Sequence, residues 1–266
     1  MSRRALVTGA SGAFGSALRA ELRSRGWTVA GLDLRPDPGD PEVLACDVTD
    51  DASVPGAVAT AVERLGGGLD LLVNNAGIGG PASAGEPPTE RVRLMLDVNL
   101  LGAWRVTAEA IDELVAARGR VVMIASRMSF LGLPLGAAYG VSKRALVAYA
   151  DALRAEYGTH VGVSCVHPAY VRTPIHDSTR EAGLRLEGFS REEPLERVIA
   201  AIVRAAESPN APRDVAVTRG GALQIAVARH LPGVVDRVVA RRLAKSVAGG
   251  DLDGAQLAAG LRQRHR

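Results

Sequence analysis

The 266-residue sequence predicts a doubly wound α/β protein, a parallel sheet of about seven strands with helices on both faces. Three observations predict it. Short aliphatic runs alternate with longer stretches whose apolar residues recur at helical spacing. Most of the short runs are apolar throughout instead of alternating, as in a parallel sheet buried on both faces. A glycine-rich turn joins the first run to the first helical stretch, where such sheets open a ligand crevice.

In chain order, strands are expected at 5–8, 28–32, 43–46, 69–73, 120–125, 161–166 and 215–218, and helices at 17–25, 54–65, 91–117 and 137–157. The first strand runs into Thr8 and Gly9, the second ends at Asp33, the third at Asp47, the fourth at Asn74 and the fifth at Ser126. The rhythm is interrupted at 79–88 and 174–194, read as candidate lid and pocket loops or as ordinary surface loops. Residues 1–218 are expected to form one sheet domain. Residues 219–266 form a basic helical extension, with helical character at 223–230, 234–247 and 252–264.

Composition sets limits. The chain is 47% apolar but only 3% aromatic, so its core is expected to rest on many small contacts. The net charge of +3 hides an asymmetry: residues 218–266 hold nine Arg and Lys against three Asp, which leaves the preceding part at −3. Cys46 and Cys165 lie in predicted strands without metal-ligand or redox spacing, so buried free thiols and no metal site are expected. The basic start is followed by too short an apolar run for a signal peptide, and no window approaches a membrane span, so a soluble cytoplasmic protein is expected.

Between the first strand and helix, Gly9 suits a tight turn, Gly12 lets a pyrophosphate approach the backbone, and Gly15 lets the helix pack closely with its N-terminus facing the anion. Asp33 can accept hydrogen bonds from ribose hydroxyls and would repel a 2′-phosphate, which favours NAD over NADP, although Arg35 follows closely. Asp47 either contacts adenine or caps the next helix with Asp50 and Asp51.

Tyr139 and Lys143 stand four apart on a helical pattern and so share a face. An ammonium beside a phenol favours the phenolate, which can then take a hydroxyl proton as hydride leaves. Ser126, at the end of the fifth strand, is placed to hold the substrate oxygen, and Ser129 competes for that role.

Together these residues resemble the short-chain dehydrogenase/reductase family. The resemblance runs from about Arg3 to Thr218 and is carried by several ordered motifs. These are Thr8 to Gly15, Asn74-Asn75-Ala76-Gly77, Asn99, Ser126, Tyr139 with Lys143, and His167-Pro168-Ala169 with Thr173. It implies a Rossmann-like domain, a homodimer or homotetramer, and a catalytic set of Asn99, Ser126, Tyr139 and Lys143. In that set Asn99 holds a water of a proton relay to Lys143, and Lys143 grips the nicotinamide ribose. Cofactor contacts are implied for Gly9, Ser11, Gly12, Phe14, Gly15, Asp33, Asp47, Val48, Asn75, Ala76, Gly77, Tyr139, Lys143, Pro168, Val171 and Thr173. Asn74 reads equally as a cofactor-facing or a purely structural residue. Two positions depart from the family pattern. Ala13 gives the loop the spacing of the larger sugar-nucleotide-modifying branch, and Ala169 stands where glycine is usual.

The expected activity is hydride transfer between NAD(H) and a secondary alcohol or ketone. The expected pocket residues are Met128, Phe130, Leu131, Leu133, Leu135, Tyr170, Ile175 and His176, mostly apolar, so a lipophilic or steroid-like substrate is favoured. The alternatives are a catalytically silent NAD-binding sensor or scaffold, whose usual loss of Tyr or Lys is not seen, and a sugar-nucleotide epimerase or dehydratase. In the tail, Val235, Val239, Leu243 and Val247 form one stripe and Arg237, Arg241 and Lys245 another. Such a helix either packs its apolar face on the body or a partner, the preferred reading, or lies on an anionic membrane. Nucleic-acid binding is not expected, because the tail has no stacking aromatics.

Overall fold

The computed structural model describes residues 2–184, 192–250 and 252–265. Part of the 174–194 loop, residues 185–191, therefore lies outside the described residues. In chain order the elements are β1 (Arg4–Thr8), α1 (Ala13–Ser24), β2 (Thr28–Asp33), β3 (Val43–Ala45), α2 (Ser53–Arg64), β4 (Leu71–Asn74), α3 (Glu90–Leu96) and α4 (Ala103–Ala117). They continue with β5 (Arg120–Ile124), α5 (Ala137–Tyr157), β6 (Gly162–His167), α6 (Asp177–Glu181), α7 (Leu195–Glu207), β7 (Asp214–Ala216), α8 (Arg219–His230), α9 (Pro232–Ala248) and α10 (Ala259–His265).

All seven strands are parallel, in the order β3-β2-β1-β4-β5-β6-β7. The order reverses between β1 and β4, so their C-terminal ends part and open a crevice. Alternate residues of each strand feed two cores. Leu6, Leu72, Val121 and Met123 pack under α2, α4 and α5, while Ala5, Val7, Val73, Val122 and Ile124 pack under α1 and α7. This double burial is why the strands read as unbroken apolar runs. Both cysteines are buried and free, as expected, and burial pushes the Cys165 thiol up to about 12.

Four elements differ from the sequence reading. α1 begins at Ala13, directly out of the glycine turn. The 91–117 pattern is broken by a π-helical stretch, Asp97–Gly102, between α3 and α4. α7 was not foreseen; it buries Val198, Ile199, Ile202 and Val203 against the sheet. β7 ends at Ala216 because Thr218 caps α8, its Oγ1 accepting the Gly221 N–H at 3.1 Å.

Half of the apolar stripe of the extension packs on the body, as the preferred reading had it, while Val235 and Val239 line a cavity instead. Leu243 and Val247 of α9 join Leu135, Leu184, Leu252 and Ala258 in a third buried cluster. Among the described residues no helix is long and apolar enough to cross a membrane.

Candidate active site

A cavity of about 1400 Å³ lies along the C-terminal edge of the sheet, from the glycine turn past Ser126 and Tyr139 to α8 and α9. Its floor is the turn between β1 and α1. Gly9 has φ +62°, and a Cβ there would come within 2.9 Å of the Ala76 Cα, so only glycine fits. A Cβ on Gly15 would lie 2.1 Å from the Gly9 carbonyl oxygen, which enforces the close helix packing read from the sequence. Gly12, Ala13 and Phe14 face the cavity, and α1 starts on Gly12 without a side-chain cap, leaving its first N–H groups to an anion.

Asp33 lines the same cavity, and its carboxylate accepts the N–H groups of Ser11 and Arg35, each at 2.9 Å. Ser11 and Gly15 shape the turn without themselves lining the cavity. Asp47 and Val48 line it next to Asp33. Asp47 does not cap α2: its Oδ1 accepts from the Thr49 N–H and hydroxyl at 2.9 and 2.7 Å, and the N-cap is Ala52. Asn75, Ala76 and Gly77 form the facing wall. Thr8, whose part the sequence reading missed, ties the two sides together: its Oγ1 accepts the N–H groups of Asn75 and Ala76 at 3.0 and 2.9 Å. The Asn75 amide donates back to the carbonyls of Thr8 and Gly9 at 2.8 and 3.1 Å. Asn74 points away, donating to Thr107 Oγ1 at 2.8 Å, so its structural reading stands. A turn that requires glycine at positions 9 and 15, uncapped helix N–H groups and a carboxylate at the end of β2 fit a dinucleotide.

The four residues of the implied catalytic set converge. Tyr139 and Lys143 lie one turn apart on α5, with the Lys143 Nζ 5.8 Å from the centre of the Tyr139 ring. The Tyr139 phenol lines the cavity beside Ser126, whose Oγ accepts the Met128 N–H at 3.1 Å. Ser129 drops out as a rival: its hydroxyl is buried and donates to the Lys143 carbonyl at 3.0 Å. Asn99 sits in the π-helical stretch, a feature that concentrates at functional sites. Its Oδ1 accepts the Ile78 N–H at 2.8 Å, and its Nδ2 donates to the Ile78 carbonyl at 3.0 Å and to Ser142 Oγ at 2.9 Å. A Cβ placed on Gly77 would meet Asn99 Oδ1 at 3.2 Å and Lys143 Nζ at 3.3 Å, so both atoms border one small space above Gly77.

Burial governs both titrating groups, since it penalises their charged forms. It pushes the Tyr139 phenol up to about 12, against which the Ser126 hydrogen bond works, and it lowers Lys143 to about 8. The Lys143 ammonium is directed to the Ile124 carbonyl at 2.8 Å, not to the phenol oxygen. The ammonium stabilisation of a phenolate expected from the spacing is therefore outweighed here by desolvation of both groups.

Beyond Tyr139 the walls are largely apolar. Met128, Leu131, Leu133, Tyr170, Ile175 and His176 line them, with Pro168, Val171 and Thr173 nearer the cofactor turn. Two expected pocket residues lie elsewhere. Phe130 turns aside between the guanidinium groups of Arg144 and Arg229, at 5.1 and 4.8 Å, where cation–π attraction holds its ring. Leu135 is buried in the cluster with Leu243 and Val247 and lines not this cavity but a smaller one, with Met128, Leu133 and Tyr139. In their place the cavity takes side chains that the sequence reading did not assign to it: Leu223 and Val227 from α8, and four valines from α9.

Residues 3–183 match the family model described as short chain dehydrogenase. An uncharacterized oxidoreductase of Myxococcus xanthus is 35% identical over 192 residues, 65% of this chain and 74% of the relative. Retinol dehydrogenase 16 of Rattus norvegicus is 36% identical over 184 residues, 64% of this chain and 57% of that protein. A short-chain dehydrogenase of Burkholderia cenocepacia, solved with NADP, superposes with a TM-score of 0.76 at 21% identity over 90% of this chain and 97% of that one, a likeness of fold. With more than half of its length matched by the model, and with the sheet order and glycine turn described above, the chain belongs to the short-chain dehydrogenase/reductase family of oxidoreductases, which act between CH–OH groups and ketones.

Proposed function

We propose that the protein transfers hydride between NAD(H) and a lipophilic secondary alcohol or ketone. The observation that carries this reading is the convergence of Ser126, Tyr139 and Lys143 on one cavity, Tyr139 and Lys143 one turn apart on α5. Bound nicotinamide supplies or accepts the hydride. Ser126 orients the substrate oxygen and Tyr139 exchanges its proton. With its phenol pushed up to about 12, Tyr139 holds its proton at neutral pH, which suits donation to the alkoxide that forms as a ketone is reduced. Lys143 would hold the ribose hydroxyls of a bound cofactor, and the space above Gly77 shared by Lys143 and Asn99 suits the water of a proton relay.

Asp33 supports NAD over NADP, because a carboxylate at the end of β2, held by the Ser11 and Arg35 N–H groups, would repel a 2′-phosphate. The apolar walls, together with the resemblance to a retinol dehydrogenase, support a lipophilic substrate. Residues 1–218 serve as the dehydrogenase body and 219–266 as its extension. A homodimer or homotetramer is supported by the exposed Leu94, Leu101, Trp104 and Val141 on α3, α4, the stretch between them and α5.

The test follows nicotinamide absorbance with NADH and NADPH separately against ketones of increasing size. Turnover with NADH that exceeds turnover with NADPH is expected. The Asp33→Asn variant is expected to lose roughly tenfold in NADH affinity, about the worth of one charge-assisted hydrogen bond, and to gain in NADPH use. A wild-type preference for NADPH overturns the reading of Asp33.

A further inference from the structure

We propose that Glu193 is a positioning residue of the active site: with Arg127 it forms a buried ion pair that fixes the turn carrying Ser126 against the turn at Pro168 and Ala169. This rests on the oxidoreductase reading above and adds to it a group outside the catalytic set.

The Glu193 side chain is only 5% exposed and that of Arg127 12%. A carboxylate is almost never buried this far unless it is paired. Glu193 has two partners. Its Oε1 accepts from Arg127 Nη2 at 3.2 Å, and its Oε2 accepts the Ala169 N–H at 2.8 Å. The backbone joins the same parts, the Arg127 N–H donating to the Pro168 carbonyl at 3.0 Å and the Glu193 N–H to the Tyr170 carbonyl at 2.8 Å. The other arm of the Arg127 guanidinium donates to Gln224 Oε1 of α8 at 2.7 Å. Four stretches of chain therefore meet at one guanidinium and one carboxylate.

Ser126, Arg127, Pro168, Ala169 and Tyr170 all line the cavity, whereas Glu193 does not. Its effect on the reaction must therefore pass through the residues it holds. Burial lowers the Arg127 guanidinium, with the Glu193 charge working against this, so the pair stands at a cost in desolvation. A buried ion pair is often worth no more in stability than an apolar pair of similar volume, although either partner left alone is strongly destabilising. What the pair supplies is geometry. One carboxylate oxygen holds the residue after Ser126 and the other holds the turn after β6, so a single group sets the spacing between the substrate-orienting hydroxyl and the turn at Pro168. The two partners lie 66 residues apart in the chain, which is why no local pattern joins them.

The experiment measures kcat and KM for a ketone at saturating NADH, together with thermal unfolding. It compares the wild type, Glu193→Gln, the double variant Arg127→Met with Glu193→Leu, and Glu192→Gln as control, the last being the neighbouring carboxylate in an exposed pair with Arg172 at 3.5 Å. Glu193→Gln is expected to lower kcat about tenfold with KM changed less than about twofold. The double variant, free of buried charge, is expected to unfold close to the wild-type temperature and still to show a kcat lowered roughly tenfold or more. Glu192→Gln should match the wild type. If Glu193→Gln does not fold, the double variant decides. A stable double variant with wild-type kcat overturns the positioning role, since packing alone then suffices. A double variant that does not fold overturns it as well, the pair then being structural only. A loss confined to KM overturns it in favour of Arg127 as a direct substrate contact, and an equal loss in Glu192→Gln overturns it by showing that any change in this stretch has the same effect. In each of these cases the wild type still reduces the ketone and the oxidoreductase reading stands; no ketone reduced by the wild type overturns both.

Discussion

The two sides of the cleft are built differently. On the sheet side, Thr8, Asn75, Asn99, Ser126 and Lys143 are each held by hydrogen bonds to neighbouring backbone or side chains, several of them fully buried. On the α9 side the cleft is faced mostly by partly exposed apolar side chains, with Arg242 among them, and the residues of α9 that are buried, Leu243 and Val247, lie in its C-terminal half. Satisfied polar networks fix geometry, which acid–base chemistry needs, because groups that must reorganise during reaction lose rate. Uncovered apolar surface fixes little by itself and gains from whatever covers it. In the proposed function this contrast assigns the reaction to the polar sheet edge and the choice of substrate to the apolar side of the cleft.

The sharpest way to break this division is to remove the proton donor. Tyr139→Phe is expected to lower turnover by about 10²–10⁴ for every ketone, large or small, while NADH binding and thermal unfolding stay close to wild type. Substrate-dependent losses would mean that the sheet side also selects the substrate.

The second effect tests how strongly the sheet side is desolvated. Lys143 is lowered to about 8, so between that value and its ordinary 10.5 the unfolded chain carries a proton that the folded chain has released. Stability therefore rises with pH across this window. Relative to Lys143→Met, the wild type is expected to gain roughly 2 kcal/mol in urea unfolding between pH 8 and pH 10. Above pH 10.5 this difference levels off, while the stability of both proteins falls, because Tyr139, pushed up to about 12, still holds a proton that the unfolded chain has lost. A difference that does not change between pH 8 and pH 10 would show that Lys143 remains solvated. A third and smaller effect concerns the space between Asn99 and Lys143. Gly77→Ala places a methyl there and is expected to reduce turnover roughly tenfold with little change in KM, a step measured most cleanly by stopped flow.

The sheet side was legible in the sequence because its groups sit at strand ends and in short motifs: a glycine turn is defined by three neighbours, and the Tyr139–Lys143 face by one helical turn. The seven strands could be read for the same reason, each being a short run buried on both faces. What escaped depends on residues far apart in the chain. The π-helical stretch at Asp97–Gly102 leaves the apolar pattern of 91–117 nearly intact, so periodicity reads one helix. Phe130 and Leu135 look like pocket residues by sequence position, but Arg229 claims one and Leu243 the other, and both partners lie nearly a hundred residues or more downstream. The valines of α9 were read as a packing stripe; only the fold turns half of that stripe to the cleft.

The smallest effect probes the junction where the two regions meet. Thr218 caps α8 and so sets the start of the hairpin that carries α9 across the cleft. Thr218→Ala is expected to cost about 1 kcal/mol, the usual worth of an N-cap, felt locally before it is felt globally. Amide hydrogen exchange should show this as faster exchange across α8 and α9 with α5 and the sheet unchanged, because α9 buries only two side chains and opens at low cost. If the loss of the cap instead speeds exchange at Tyr139 and Ser126, the extension is part of the catalytic scaffold and the division between reaction and selection fails at its boundary.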